Sequence, residues 1–219
     1  MVTKPMRSIA QRLSDAQIAI DGALADKGIR AAIEIFSYDE TKLLAGRTLY
    51  EEAQDLANKQ RAEYGDQYEA TETVQAAWAE ANTAYMRALK IARVAFKGDT
   101  KARSALLLGG TRKSTISGWT QQVTPFYANI LNDADRLAAM AVFGYDQAKL
   151  EAEQALLQVV SEASVAQRKE MGEAQEATKL RDAKMDELDE WMSDFRAVAR
   201  VALEDNPQWM EKLGFGAIP

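Results

Sequence analysis

The chain has 219 residues, of which 47% are hydrophobic and 27% are charged, and its net charge is −6. It contains neither cysteine nor histidine, which excludes disulfides, thiolate chemistry, the commonest metal ligand and every Ser-His-Asp triad. Because the charges are net acidic and mixed in sign along the chain, we expect no nucleic-acid binding of the kind that neutralises phosphates with a basic surface.

The first residues contain no continuous apolar stretch of the length that a signal peptide needs. The longest apolar runs, such as LAAMAVFGY from Leu137 to Tyr145, are far shorter than the roughly 18 residues of a membrane-spanning helix. The expected location is therefore the cytoplasm by default, and routes of export that need no N-terminal signal are left open.

Comparison of the chain with itself indicates an internal repeat. The segment FSYDETKLLA, from Phe36, aligns with FGYDQAKLEA, from Phe143, at an offset of 143 − 36 = 107 residues. The same offset aligns two further pairs of segments without a gap: 60–71 with 167–178, and 91–96 with 198–203. A single register held over this distance predicts a tandem duplication, from about residue 17 to 110 and from about 124 to 217.

The first predicted helix of each copy is long. In the first copy it covers residues 7–64, with Gly22 and Gly28 as positions where it could break. In the second copy we expect it to begin at Pro125, after a threonine suited to N-capping, and to run without interruption to Gly172.

The second predicted helix of each copy carries apolar residues at alternating spacings of three and four, which is typical of a coiled-coil seam. We expect the larger seam residues to form the core, namely Trp78, Tyr85, Met185, Met192 and Phe195. Each helix then ends before Asp99 or Asn206, where a short closing helix is predicted to begin.

The turn between the two long helices is predicted at Gly65 in the first copy and at Gly172 in the second. The predicted fold is all-α: an elongated antiparallel four-helix bundle made of two tandem-duplicated helical hairpins, each ending in a short helix. The expected organisation is hairpin 1 over residues 1–110, a linker over 111–124 and hairpin 2 over 125–219, packed as one bundle.

The segment LLLGGTRKST, from Leu106 to Thr115, has the composition of a phosphate-binding loop but not the required pattern. Arg112 stands where that motif needs its second glycine, and no strand is predicted before it. The repeat offset also places Gly109 on Gly216, which indicates the end of a repeat instead of a nucleotide site.

Three groups of residues are candidates for interaction or for register. The first is identical between the copies and lies beside the predicted turns, where turn geometry is the alternative explanation: Arg61, Glu63, Arg168 and Glu170. The second lies in the linker, the closing helix and the end of the chain, where it could cover the bundle end or meet a neighbouring molecule: Trp119, Trp209 and Phe215. The third is predicted to form interhelical ion pairs, Asp39 with Arg93 and Asp146 with Arg200, the alternative being pairs with Lys42 and Lys149 on their own helices.

These observations favour a non-enzymatic helical scaffold that binds copies of itself or another protein and forms a higher-order oligomer or filament. We assign no catalytic residue, cofactor or metal site. One alternative is an amphipathic-helix protein that binds lipid, although the mixed, net acidic charges argue against a membrane partner. Another is an enzyme or ligand-binding bundle that uses only Asp, Glu, Lys, Arg and Tyr.

Overall fold

The computed structural model describes residues 7–216, which contain helices and no strand, so the all-α class is confirmed. The helices within these residues are α1 (Ile9–Ala25), α2 (Lys27–Glu34), α3 (Glu40–Ala95), α4 (Thr100–Ala105), α5 (Ile116–Leu131), α6 (Ala134–Ala141), α7 (Gln147–Ala202) and α8 (Pro207–Lys212). Each of the first four helices begins 107 residues before one of the last four, as 147 − 40 = 107 shows for α3 and α7.

The predicted turns at Gly65 and Gly172 are wrong. Helices α3 and α7 each run for 56 residues without interruption and pass straight through these glycines. The physical reason is that one glycine inside a helix costs only about 1 kcal/mol, and good helix formers surround both positions. The sequence copies are therefore not helical hairpins, although the short closing helices α4 and α8 are present as predicted.

The chain breaks its helices elsewhere. Asp26 ends α1 and caps α2, because its Oδ1 accepts hydrogen bonds from the backbone N–H groups of Gly28 (2.9 Å) and Ile29 (3.2 Å). In the second copy Asp133 separates α5 from α6 in the same way, accepting from the N–H of Arg136 at 3.0 Å. The first copy therefore breaks between Gly22 and Gly28, where the sequence left a break open, whereas the uninterrupted helix predicted from Pro125 in the second copy is wrong.

Helix α5 begins at Ile116, within the segment that the sequence indicated as a linker. The Thr115 side chain accepts a hydrogen bond from the N–H of Gly118 at 3.2 Å and so caps the helix. Pro125, which we expected at the first position of a helix, lies inside α5. An earlier N-cap therefore starts the helix, and the proline is accommodated within it.

The described residues form two compact units, and each unit combines parts of both sequence copies. Unit 1 contains the described residues up to Gly65 and those from Gly172 onward, whereas unit 2 consists of 66–171. Each long helix contributes one part to each unit. Because α3 and α7 do not turn back on themselves, each pairs with the other long helix instead of with its own copy.

In unit 1, α3 and α7 pack against each other in antiparallel directions. The Tyr38 ring, just before α3, lies 5.4 Å from the ring of Phe195, and Glu52 Oε2 lies 3.0 Å from Lys184 Nζ. Between these levels the Trp191 indole lies directly against the backbone at Gly46. Met185, Met192 and Phe195 belong to this core, as the seam spacing predicted.

Unit 2 has a core rich in aromatic rings. Tyr85 meets Phe126 edge to face at 5.2 Å, and Phe126 meets Tyr127 at 5.1 Å. Tyr85 is fully buried, whereas Trp78 is partly buried against the same cluster. Helix α5 thus fills the position that the sequence assigned in part to a linker.

We expect Gly65→Ala and Gly172→Ala each to raise the free energy of unfolding by about 0.5–1 kcal/mol, because alanine favours a helix interior. A Cβ at either position would have no neighbouring atom within 4 Å, so nothing opposes the gain. Chemical denaturation measures the effect. A loss of stability in both variants would contradict the continuous helices, since a left-handed glycine in a turn would be strained by alanine.

We expect Gly46→Ala to lower the free energy of unfolding by about 1–2 kcal/mol, although alanine is the better helix former, since overpacking costs more. A Cβ at Gly46 would lie 2.3 Å from Cζ2 of Trp191, so the indole must move. Gly65→Ala in the same helix is the matched control for denaturation. Equal stabilisation of both variants would show that Trp191 does not pack on Gly46.

Candidate functional site

Two of the three aromatic residues proposed for partner contacts are buried in the cores. Trp119 is 2% exposed, and its Nε1 donates a hydrogen bond to Oδ1 of Asn82 at 2.9 Å. Phe215 is 5% exposed. Trp209 is partly buried in unit 1. Trp119 and Phe215 are therefore core residues of the folded chain. Residues 217–219 lie outside the described residues.

The four polar residues expected beside turns lie inside the long helices. Arg61 and Glu63 are on α3, and Arg168 and Glu170 are on α7. The two arginines are exposed and the two glutamates are half-buried. Their identity in the two copies is not explained by turn geometry, and their role in binding a partner stays a prediction.

The predicted ion pairs Asp39–Arg93 and Asp146–Arg200 are wrong. In each case 93 − 39 = 54 or 200 − 146 = 54 residues separate the partners along one uninterrupted long helix. The aspartates cap the long helices instead, since their Oδ1 atoms accept hydrogen bonds from the backbone N–H of Lys42 (2.8 Å) and Lys149 (2.9 Å). The expected turn placed these residues level with each other, and without it they are far apart.

The most conspicuous surface feature is a set of large apolar side chains that occurs once in each unit. Ile35 is 80% exposed and Phe36 is 44% exposed, and the equivalent residues Val142 and Phe143 have the same values. A second equivalent pair is exposed at the ends of the long helices, Val94 at 57% and Val201 at 55%. Adjacent exposed apolar side chains, such as Ile35 with Phe36, mark interaction sites more often than isolated apolar residues do.

The turn after α2 explains why these side chains point to solvent. The N–H of Tyr38 donates to the carbonyl of Ile33 at 3.2 Å and the N–H of Ser37 donates to that of Glu34 at 3.0 Å. This is a Schellman motif, whose left-handed residue is Ser37 (φ 65°). The motif directs Tyr38 into the core and leaves Ile35 and Phe36 outside.

The second copy repeats this turn with a glycine. The N–H of Tyr145 donates to the carbonyl of Met140 at 3.2 Å, and Gly144 takes the left-handed position with φ 77°. In both copies a lysine one turn into the long helix lies over the tyrosine ring, with Lys42 Nζ 4.1 Å and Lys149 Nζ 3.8 Å from the ring centroid. The apolar pair is thus held by the same local structure twice.

Because the long helices are antiparallel, each exposed valine lies at the same end of its unit as the exposed apolar pair: Val201 with Ile35 and Phe36, and Val94 with Val142 and Phe143. In unit 1 the start of α3 lies beside the end of α7, as the Tyr38–Phe195 contact shows. In unit 2, Gln167 Nε2 lies 3.1 Å from Thr71 Oγ1, and Arg87 is near enough to Tyr145 to oppose the rise in its pKa that burial causes. We call Ile35, Phe36 and Val201 the unit 1 end, and Val142, Phe143 and Val94 the unit 2 end.

Unit 2 also contains a half-buried carboxylate. The Tyr127 hydroxyl donates a hydrogen bond to Glu153 Oε2 at 3.0 Å. Burial raises the pKa of Glu153 above its ordinary value, and the Tyr127 hydrogen bond and the charges of Lys149 and Arg87 oppose the rise. Burial also raises the pKa of Tyr127. The carboxylate thus provides a hydrogen-bond acceptor for the buried Tyr127 hydroxyl.

Unit 1 has a charged groove of about 680 Å³, lined by Arg7, Arg12, Asp15, Asp186, Asp189, Met192, Ser193 and Arg196. Arg12 lies 2.5 Å from Asp189, and Arg7 pairs with Asp15. The Arg196 guanidinium lies 4.8 Å from the centre of the Phe215 ring. Most charges of the groove therefore already have a partner within unit 1.

Together these features describe an all-α protein with exposed apolar side chains at one end of each of its two units. Comparison with protein-family models, with curated proteins and with solved structures finds no match to this chain. Among the residues that the structure describes, no helix combines the length and the apolar character needed to cross a membrane.

We expect Glu153→Gln to raise the free energy of unfolding at pH 7. Because the pKa of Glu153 is raised in the folded protein, ionising it destabilises the fold as the pH rises through that pKa. The glutamine carbonyl can still accept the Tyr127 hydrogen bond. The gain should shrink as the pH falls to about 4, near the ordinary glutamate pKa.

Denaturation at the two pH values measures this difference. Glu80→Gln, which changes an exposed glutamate of unit 2, is the control and should give no comparable gain. A Glu153→Gln variant that is less stable than the parent protein at pH 7 would show that the ionised carboxylate is favoured in the fold.

Proposed function

We propose that this protein is a non-enzymatic helical scaffold that self-associates through its unit 1 and unit 2 ends. The observation that carries the proposal is the repetition of one exposed apolar pair, at 80% and 44% exposure, in both units. A folded chain that gained nothing from these side chains would be expected to bury them or replace them with polar residues. Their exposure on rigid, hydrogen-bonded turns suits a preformed contact surface.

We further propose that the chain arose by tandem duplication. The common offset of 107 residues in both the sequence and the helix boundaries supports this history. Duplication of a binding turn gives each molecule two sites of related shape. A molecule with two such sites can link copies of itself into a closed ring or an open chain.

Another protein can also be the partner, as the sequence allows. An aromatic and a branched aliphatic side chain side by side are typical of the apolar centre of protein interfaces. We favour a second copy of this chain as the partner because each molecule carries both apolar pairs. Any two copies can therefore bring one apolar pair of each into contact.

We expect replacement of Ile35, Phe36, Val142 and Phe143 by serine to abolish self-association, since these side chains supply the apolar contact area. Light scattering coupled to size exclusion, followed by electron microscopy of large species, measures it. The control replaces four exposed apolar residues of α7 by serine, at Val159, Val165, Met171 and Leu180. Circular dichroism checks that both variants remain helical.

Two outcomes would contradict the proposal. The first is a parent protein that stays monomeric from micromolar to millimolar concentration. The second is a variant with serine at both apolar pairs that associates as strongly as the parent protein.

A further inference from the structure

The unit 1 and unit 2 ends resemble each other in apolar residues but differ in charge. Around the unit 1 end, residues 34–42 carry −2 and residues 197–212 carry −1, a total of −3. The equivalent residues around the unit 2 end carry 0 over 141–149 and +4 over 90–105, a total of +4. The clearest single exchange is at equivalent positions after the long helices, where Glu204 corresponds to Lys97 (204 − 97 = 107).

The basic residues of the unit 2 end lack acidic partners in the folded chain. All are exposed, and no carboxylate of residues 7–216 lies within 4.0 Å of their charged groups: Lys90, Arg93, Lys97, Lys101 and Arg103. The Arg93 Nε instead donates to the carbonyl of Leu108 at 3.0 Å. This end therefore presents positive charge to solvent beside exposed apolar side chains.

The acidic residues of the unit 1 end are mostly unpaired as well. Glu34, Glu204 and Asp205 are exposed and form no ion pair within the described part of the chain. Glu40 lies 3.7 Å from Arg30. Each end thus combines exposed apolar side chains with charged residues that lack partners, and the net charge is opposite in sign at the two ends.

We propose that the unit 1 end of one copy binds the unit 2 end of a second copy. Apolar side chains would meet in the centre of this contact, and Glu204 and Asp205 would face Lys97 and Lys101. Contact between two like ends would bring charges of the same sign together, which is strongly unfavourable at an interface. The association is therefore head to tail, and it repeats from copy to copy.

This inference rests on the proposed self-association, and it is tested with two double variants. Lys97→Glu with Lys101→Glu lowers the net charge of the unit 2 end from +4 to 0, and Glu204→Lys with Asp205→Lys raises that of the unit 1 end from −3 to +1. Each variant alone should associate at least about ten-fold more weakly than the parent protein. A mixture of the two should form mixed complexes, because the intact acidic end of the first meets the intact basic end of the second, and the substituted positions of the two variants are again opposite in sign.

The measurement is analytical ultracentrifugation of each variant alone and of the mixture, at low and high salt. The parent complex should weaken as salt rises, because salt screens exposed charges. Lys59→Glu with Lys179→Glu makes the same change of charge at exposed positions within the long helices and should associate like the parent protein. Circular dichroism confirms folding, and all substituted residues are exposed.

Different results would overturn different claims. The head-to-tail contact is wrong if each charge variant alone associates as strongly as the parent protein, or if it forms a dimer through two equivalent ends. The scaffold proposal would stand in either case. If the mixture fails to form the mixed complex, the opposite charges do not select the partner end. A monomeric parent protein would instead overturn the proposed function.

Discussion

The structure depends on the continuity of two 56-residue helices through their glycines, Gly46 and Gly65 in α3 and Gly172 in α7. A helix interior tolerates one glycine at a cost of about 1 kcal/mol, and packing of an apolar seam outweighs that cost. Because neither helix turns back, each must find its apolar partner on the other long helix. This constraint makes each compact unit a combination of both sequence copies, and it decides which residues meet.

The two units have different residues at equivalent positions of their long helices. In unit 1 the Trp191 indole occupies the space above Gly46. At the equivalent position of Gly46, unit 2 has Glu153 (46 + 107 = 153), which accepts a hydrogen bond from Tyr127. The residue equivalent to Trp191 is Ala84 (191 − 107 = 84). A large ring beside glycine in unit 1 thus corresponds to an alanine and a hydrogen-bonded glutamate at the equivalent positions of unit 2.

The proposed scaffold function arises from the same local rule that ends α2 and α6. A Schellman turn buries the tyrosine that follows it and leaves the preceding apolar pair exposed. The aspartate after the tyrosine then caps the long helix. Residues 35–39, and 142–146 in the second copy, therefore contain the exposed pair of the proposed contact, a buried core tyrosine and the cap of the long helix.

Much of the secondary structure can be predicted from local sequence. In the described part of the chain, the helical secondary structure, the Asp99 cap and the burial of seam residues such as Phe195 follow from helix propensity, capping chemistry and apolar spacing, which act between near neighbours in the chain. Those signals do not say whether a lone glycine ends a helix, since its small cost is decided by packing contributed from distant residues. The tertiary structure therefore decided that Gly65 and Gly172 lie inside helices and that Trp119 is core. It also decided that the pair Ile35 and Phe36, similar in composition to many core pairs, is on the surface.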